Sequence, residues 1–393
     1  MNALLSYIEK LLVGIFVLGF VALIAIGVLR YREGESGEGG ATWHQAKKHN
    51  TIEGYLEFLR DCQSCAHETD AIAALDELQR GLGLVARLAQ GHLEERASVA
   101  LPVFSSDGKT LLALGGKEPH LWDANTGTRL PLEEGSFAVK GGDAITALAY
   151  APDGSWVAAG LSGAENGNML VWDRQSGGLV GEHLIDGFDA QTLAFEPRAQ
   201  TLGWLAHGPL GIWEPLTGKF LRATHEGASA LAFTRMDKTH TLMVTAAGRE
   251  VWFWEPATLE LVRQTVMKSD RTLLGLSQDG RVIGYAEGPV LELWDVRTGA
   301  LVATLQDHDG DALAFCRDTK KGWVLVGTRT GSLYLWDTKL PASLGRIAAH
   351  EGPVEQLACS GKGRAVSISW DSAKIWDLDK LSKIPVEKPK LEE

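Results

Sequence analysis

Cysteine is scarce. The chain has four, Cys62, Cys65, Cys316 and Cys359, among 393 residues, too few for a scaffold framed by disulfides, so the core has to come from apolar packing and sheet hydrogen bonds. Positive charge is also in deficit. Lys plus Arg number 38 against 50 Asp plus Glu, a formal charge of -12, which excludes a basic nucleic-acid binder and sets nucleic acid aside as a partner. Catalytic signatures are missing too: there is no Ser/His/Asp set in a characteristic motif, no phosphate-cradling glycine loop before a helix and no paired metal-binding motif. No catalytic, cofactor-binding or metal-ligating residue is therefore assigned, no cofactor is expected, and the chain is read as not an enzyme. A hydrophobic content of 45% rules out a disordered chain.

Long apolar runs are absent with one exception. Leu11 to Leu29 reads LLVGIFVLGFVALIAIGVL, 19 residues without a charge, bracketed by Glu9 and Lys10 before and Arg30 and Arg32 after. At 1.5 Å per residue this run reaches about 28 Å, enough for a hydrocarbon core of roughly 30 Å. A cleaved signal peptide would have a shorter apolar stretch and a small-residue cleavage site, which does not follow Leu29. Residues 1–32 are expected to be a single-pass transmembrane anchor in a cell inner membrane, crossing it with residues 11–29. Lys10 and the terminal amine nearly balance Arg30 and Arg32, so charge leaves the orientation open. The short N-terminal tail and the close Cys pair favour a periplasmic remainder, with the cytoplasmic face as the alternative.

Residues 33–42 form an acidic, Gly-rich linker whose composition buries nothing. Residues 43–83 carry helix-period apolar positions, Ile52, Tyr55, Leu56 and Leu59 on one segment and Ala71, Ala74, Leu75 and Leu78 on another. Two short helices are expected, the first capped by Thr51 and the two joined by a turn over Asp61 to Glu68. Trp43-x-x-Ala46 followed by Thr51-x-x-x-Tyr55 resembles helical hairpins beside sensor or scaffold domains of bacterial envelope proteins. In the turn, Cys62 and Cys65 are a candidate disulfide pair. A haem link is disfavoured because Ala66 separates Cys65 from His67, while zinc with His44 or His49, a redox couple and two plain thiols stay open.

The rest of the chain repeats. An apolar residue, a Trp and an acid recur at Trp122-Asp123, Trp172-Asp173, Trp213-Glu214, Trp254-Glu255, Trp294-Asp295, Trp336-Asp337 and Trp376-Asp377, with Trp spacings of 50, 41, 41, 40, 42 and 40. A period near 40 to 45 residues holding several short strands is that of a four-stranded propeller blade. The residues before each Trp, Leu121, Val171, Ile212, Phe253, Leu293, Leu335 and Ile375, are all apolar, as a strand covered on both faces requires. Gly127, Gly177, Gly218 and Gly299 each follow their Trp by five positions and suit a left-handed hairpin turn. Ser106-Asp107-Gly108, Pro152-Asp153-Gly154 and Gln278-Asp279-Gly280 separate apolar runs and join the first two strands of their blades.

Over residues 84–381 this pattern resembles the WD-repeat β-propeller family, here a divergent, membrane-anchored chain of bacterial type. The fold class is all-β, a seven-bladed β-propeller preceded by the transmembrane helix and the short helical hairpin, with a charged tail over 382–393. The resemblance implies a buried tetrad of His, Ser or Thr, Asp and Trp in each blade. Only the last blade has the full set, His350, Ser367, Asp371 and Trp376. His92, His225 and His308 match its first position elsewhere, but their turn Asp is replaced by Lys117-Glu118, His207-Gly208-Pro209 or Arg329-Thr330-Gly331. Leu84 to His92 (LVARLAQGH) mirrors Leu301 to His308 (LVATLQDH) and is expected to close the ring from its N-terminal side; Leu381 to Val386 is the rival. Cys316 and Cys359, in LAFC and QLAC, are read as ordinary small core residues.

The resemblance implies a rigid ring that presents loops to other proteins. The expected function is a membrane-anchored, non-catalytic scaffold or assembly protein whose partners are membrane or envelope proteins. The alternative is a propeller enzyme or small-ligand sensor with a site at the central channel, and a redox role for Cys62 and Cys65 is a third reading. Trp156, Trp204, Trp252 and Trp323 are expected between blades, and Trp370, in the last strand-to-strand turn, is the candidate partner contact.

Overall fold

A computed structural model describes residues 42–384 apart from 63–64, 89–98, 116–117, 133–135, 140–143, 163–165, 187–188, 199, 226, 307, 309–310, 319–320 and 340–342. The expected anchor over residues 1–32, most of the linker, His92 and most of the tail lie outside the described residues. Among the described residues no helix is long and apolar enough to cross a membrane. The chain divides into two compact units between Gln79 and Arg80.

The first unit is helical, with three helices where two were expected: α1 (Trp43–His49), α2 (Ile52–Asp61) and α3 (Glu68–Gly81). The extra helix has its own start and stop. Thr42 and Gln45 exchange side-chain and backbone hydrogen bonds in a capping box, and Asn50 ends α1 at φ 49°, in the left-handed region. Thr51 then caps α2 by accepting from the Gly54 amide at 3.1 Å. Tyr55, Leu56, Phe58 and Leu59 of α2 are buried, and Trp43 packs against Tyr55 and Phe58 and stacks on His67 at 5.0 Å.

The second unit is a ring of seven antiparallel sheets. The first holds β2 (Val99–Phe104), β3 (Thr110–Gly115) and β4 (Glu118–Asp123); the second β5 (Ala144–Tyr150), β6 (Trp156–Ser162), β7 (Asn166–Asp173) and β8 (Leu179–Asp186). The third is β9 (Thr192–Phe195) to β12 (Phe220–Thr224), the fourth β13 (Ala230–Arg235) to β16 (Leu261–Val266), the fifth β17 (Thr272–Leu276) to β20 (Leu301–Leu305), and the sixth β21 (Ala312–Asp318) to β24 (Ser343–Ala348). The seventh joins β25 (Gln356–Cys359), β26 (Arg364–Ile368) and β27 (Ala373–Asp377) to β1 (Leu84–Leu88), with Leu84 opposite Trp376 and Leu88 opposite Ala373. The N-terminal strand thus completes the last blade. Of the rival segment, Leu381 ends α4 (Leu378–Leu381) and residues 382–384 form a turn, while residues 385–386 lie outside the described residues. Inner strands neighbour one another in the order β2, β5, β9, β13, β17, β21, β25, and β25 returns to β2.

The first blade corrects the expectation of four strands everywhere. Among the described residues it has three, and beyond its glycine turn only one isolated bridge, Trp122 to Arg129, continues the ladder. Pro131, two residues later, has no amide to donate.

Apolar layers between blades form the core. All seven repeated Trp are buried, and six of them lie in a layer shared with the preceding blade. Trp122 packs with Val366 and Ile375, Trp172 with Leu112 and Leu121, and Trp213 with Met169 and Val171. Trp254 packs with Leu205 and Ile212, Trp294 with Val244 and Phe253, and Trp336 with Leu291 and Leu293. The apolar residue before each Trp is buried as well, so one dipeptide faces both neighbours. The four hairpin glycines have φ values of 70°, 68°, 73° and 67°, a region where a Cβ is strained.

A second correction concerns the cysteines of the inner strands. Cys316 on β21 and Cys359 on β25 are disulfide-bonded with Cα atoms 5.5 Å apart, stapling the sixth blade to the seventh. Cys62 and Cys65 are also bonded, so all four cysteines of the chain are paired. Asp318 adds to the sixth-to-seventh junction by accepting from the Gly363 amide at 2.6 Å.

Candidate protein-binding face

Antiparallel topology divides the loops into two sets. One end of the ring carries the first-to-second and third-to-fourth strand turns; the other carries the second-to-third turns and the connections between blades. Trp370 stands on the latter face, in the turn between β26 and β27.

That turn is held from beneath. The Trp376 indole donates to Ser367 Oγ at 2.8 Å, and Ser367 Oγ lies 2.7 Å from His350 Nε2. His350 Nδ1 lies 3.0 Å from Asp371, which also accepts from the Ser372 hydroxyl at 2.6 Å. A neutral imidazole satisfies the whole chain: Trp376 donates to Ser367, Ser367 to Nε2, and Nδ1–H to the Asp371 carboxylate. Burial holds the His350 imidazole below its ordinary proton affinity, against the opposing pull of Asp371. Burial would raise Asp371, but His350, Lys374 and the Ser372 hydroxyl outweigh it and keep this carboxyl well below the usual range. Lys374 is fully buried and donates to the Ala349 carbonyl. The structure therefore brings His350, Ser367, Asp371 and Trp376 together, and their network fixes the turn on which Trp370 sits.

Trp370 itself is 44% exposed. Its indole lies on Gly352, where any Cβ would collide with the ring. An aromatic surface held in one pose loses little entropy on binding. Of the other Trp outside the repeated set, Trp156, Trp204 and Trp252 are buried. Trp323 differs from expectation: it is half-buried and carries the Lys321 ammonium 4.1 Å above its ring.

Ion pairs tie the same face together between turns and connections. Arg249 meets Asp270 at 3.2 Å, Arg271 meets Glu287 at 2.8 Å and Arg329 meets Asp311 at 3.0 Å. Blades without the tetrad improvise. In the sixth, Trp336 donates directly to His308 Nε2 at 3.1 Å, and His308 Nδ1 reaches the Pro289 carbonyl of the fifth blade at 2.7 Å. In the fourth, Trp254 donates to Thr245 at 2.9 Å, leaving His225 Nε2 buried without a partner against Trp252 and Trp254. Thr245 sits on the second strand of its blade nine positions before Trp254, as Ser367 does before Trp376, and His225 and His308 hold the first position that the sequence assigned them, so what these blades lack is the turn Asp.

Burial depresses the proton affinity of His120 and His225 as well as His350, with Arg129 adding to the effect at His120. The unfolded chain therefore binds protons more readily as pH falls below about 6.5. Stability is full above that value and declines as pH drops toward the folded values. Melting temperature should fall between pH 7 and pH 5. His225→Phe, which keeps the ring packing and removes the unpartnered nitrogen, should raise the melting temperature at pH 5.5 more than at pH 8; an equal change at both would show that His225 does not contribute to the slope.

Among the described residues no group of three His, Cys, Asp or Glu could hold a metal. Cys62 and Cys65 lie in the helical unit, bonded to each other rather than joined by His44 or His49.

Comparison with known proteins agrees with the fold. The family model for the WD domain, G-beta repeat, matches residues 135–173, which run from the approach to the second blade through Trp172-Asp173. The chain is 22% identical over 233 residues to the periodic tryptophan protein 2 homolog of Dictyostelium discoideum, covering 57% of this chain and 25% of that protein. It is 31% identical over 90 residues to U3 small nucleolar RNA-associated protein 7 of Saccharomyces cerevisiae, covering 22% and 16%. It is 27% identical over 124 residues to cross-pathway control WD-repeat protein 2 of Flammulina velutipes, covering 31% and 36%. The chain thus spans about a third or less of the length of these relatives. All three are eukaryotic, so they lend no support to the bacterial type or to the membrane anchor expected from the sequence. The family model covers one repeat of this chain, and the structure closes seven blades into a ring.

Proposed function

We propose that this chain is a non-catalytic scaffold that binds other proteins through the ring face bearing Trp370. The observation that carries the reading is an exposed indole seated on Gly352 and braced by the buried network of His350, Ser367, Asp371 and Trp376. Large aromatic side chains on rigid supports are the usual anchors of protein interfaces. The name of the yeast relative associates that protein with a small nucleolar RNA; the acidic balance of this chain favours protein over nucleic acid as its own partner.

The scaffold is anchored in a membrane by residues 11–29, and its ring lies in an oxidising compartment such as a periplasm. Pairing of all four cysteines supports that side, because cytosolic thiols are kept reduced. A C-terminal reporter that matures only under oxidising conditions tests the placement: activity is expected, and a reporter active only in its reducing-compartment version refutes it.

Affinity capture from detergent-solubilised membranes tests the binding face. Trp370→Ala should weaken a stoichiometric partner by roughly 30-fold while leaving the melting temperature unchanged. Leu216→Ala, at a 68% exposed position in a turn at the opposite end of the ring, should leave capture intact. Equal loss from both variants, or none from Trp370→Ala, would reject this face.

A further inference from the structure

The disulfide of the helical unit differs in kind from that of the ring. Cys62–Cys65 has a sequence separation of 3, whereas Cys316–Cys359 spans 43. A cross-link constrains the unfolded chain less as its loop shortens, so folding does less to hold the short bridge against reduction. Exposure differs as well. Cys62, Cys316 and Cys359 are buried, at 6%, 8% and 4%, and Cys65 alone of the four is not.

The helices around the short bridge are held without it. The Trp43 indole packs against Tyr55 and Phe58 of α2 and stacks on His67 just before α3. Ala46, Leu56, Leu59, Ala71 and Leu75 are buried, so apolar contacts supply the core of this unit. Within that frame a buried cysteine stands behind an accessible one. Cys62 caps the C-terminus of α2, its amide donating to the Leu59 carbonyl at 3.2 Å, and the Cys65 carbonyl accepts from the Glu68 amide at 3.2 Å on the way into α3. Their Cα atoms are 5.4 Å apart, so a thiol released from Cys62 stays beside Cys65.

We infer that the Cys62–Cys65 bond is a donor disulfide, passed to a pair of cysteine thiols on a partner protein. One partner thiolate attacks Cys65 Sγ and forms a mixed disulfide. The bond to Cys62 breaks, and Cys62 Sγ leaves with the electron pair and takes a proton from water. The partner's second thiolate then attacks its own first sulfur, which completes the partner's disulfide and expels Cys65 as a thiolate, protonated in turn. Two electrons pass from the partner dithiol, which is oxidised, to Cys62 and Cys65, which are reduced. Each chain delivers one disulfide, which leaves the ring a non-catalytic scaffold.

The test uses the purified full chain, so neither the membrane side nor the Trp370 face enters it. The chain is mixed with an acetylated, amidated Cys-Gly-Gly-Cys peptide, quenched with a thiol alkylator and read by mass spectrometry. Cys62 and Cys65 should become alkylated about tenfold faster than Cys316 and Cys359, or more, with one peptide oxidised for each bridge opened. Single variants assign the attacked sulfur. With oxidised glutathione, Cys62→Ser should take up glutathione on Cys65, whereas Cys65→Ser should react about tenfold more slowly through the buried Cys62. Equal opening of the two bridges, no opening of Cys62–Cys65, or faster uptake on Cys62 than on Cys65 overturns the inference. The comparison of bridges needs no variant, so it decides even where a substitution disturbs the helices.

Discussion

Replacing Trp376 with alanine is expected to destabilise the ring by roughly 3 to 5 kcal/mol, the range for a fully buried large aromatic. Its indole has no exposed surface and lies on the strand that pairs with both β26 and β1. The substitution opens a cavity at the seam and removes the donor to Ser367, so the relay through His350 to Asp371 loses its first member. Trp376→Phe separates the two contributions. It keeps most of the packing and should lose about 1 to 3 kcal/mol, the order for a buried polar group left unpaired. Urea unfolding of the three proteins reads both values, and a Trp376→Ala variant within 1 kcal/mol of the parent would mean that the seam does not depend on this indole.

Removing the Cys316–Cys359 bridge is expected to cost about 4 kcal/mol by the chain-entropy relation, given its sequence separation of 43. Both residues are buried on inner strands, so Cys316→Ala with Cys359→Ala keeps small apolar groups in place and isolates the cross-link. The loss should appear mainly as easier separation of the sixth and seventh blades, which share Asp318 and Gly363. Cys62→Ala with Cys65→Ala is the internal control. Its bridge spans three positions in the helical unit, and its removal should leave unfolding of the ring unchanged. Equal melting of the ring with and without reductant would contradict the assigned staple.

The architecture was legible because the repeated dipeptide reports two packing partners at once. An indole facing one blade and an aliphatic residue facing the other can only recur seven times if seven sheets stand side by side, and the hairpin glycines then mark where each strand reverses. Ring closure was legible for a similar reason, since LVARL reads like the fourth strand of a blade without its first three. The bridge between Cys316 and Cys359 was missed although a signal existed. LAFC and QLAC place Cys316 level with Leu335 and Cys359 level with Trp376, adjacent rungs that turn the two side chains toward each other across consecutive inner strands, and reading blades one at a time hides what adjoining blades share. The extra helix, α1, was missed because its seven residues are too few for an amphipathic period to register, while its capping residues, Thr42, Gln45 and Asn50, were present.

The pairing of β1 with β27 imposes an order on biosynthesis. The strand that finishes the circle leaves the ribosome first and must wait for a partner that follows 285 positions later, from Leu88 to Ala373. At about 5 to 20 residues per second that delay is roughly 15 to 60 s. Throughout it, a growing stack of sheets has one open border and an unpaired strand tethered nearby, the condition under which holdase chaperones and neighbouring nascent chains compete for the same edge.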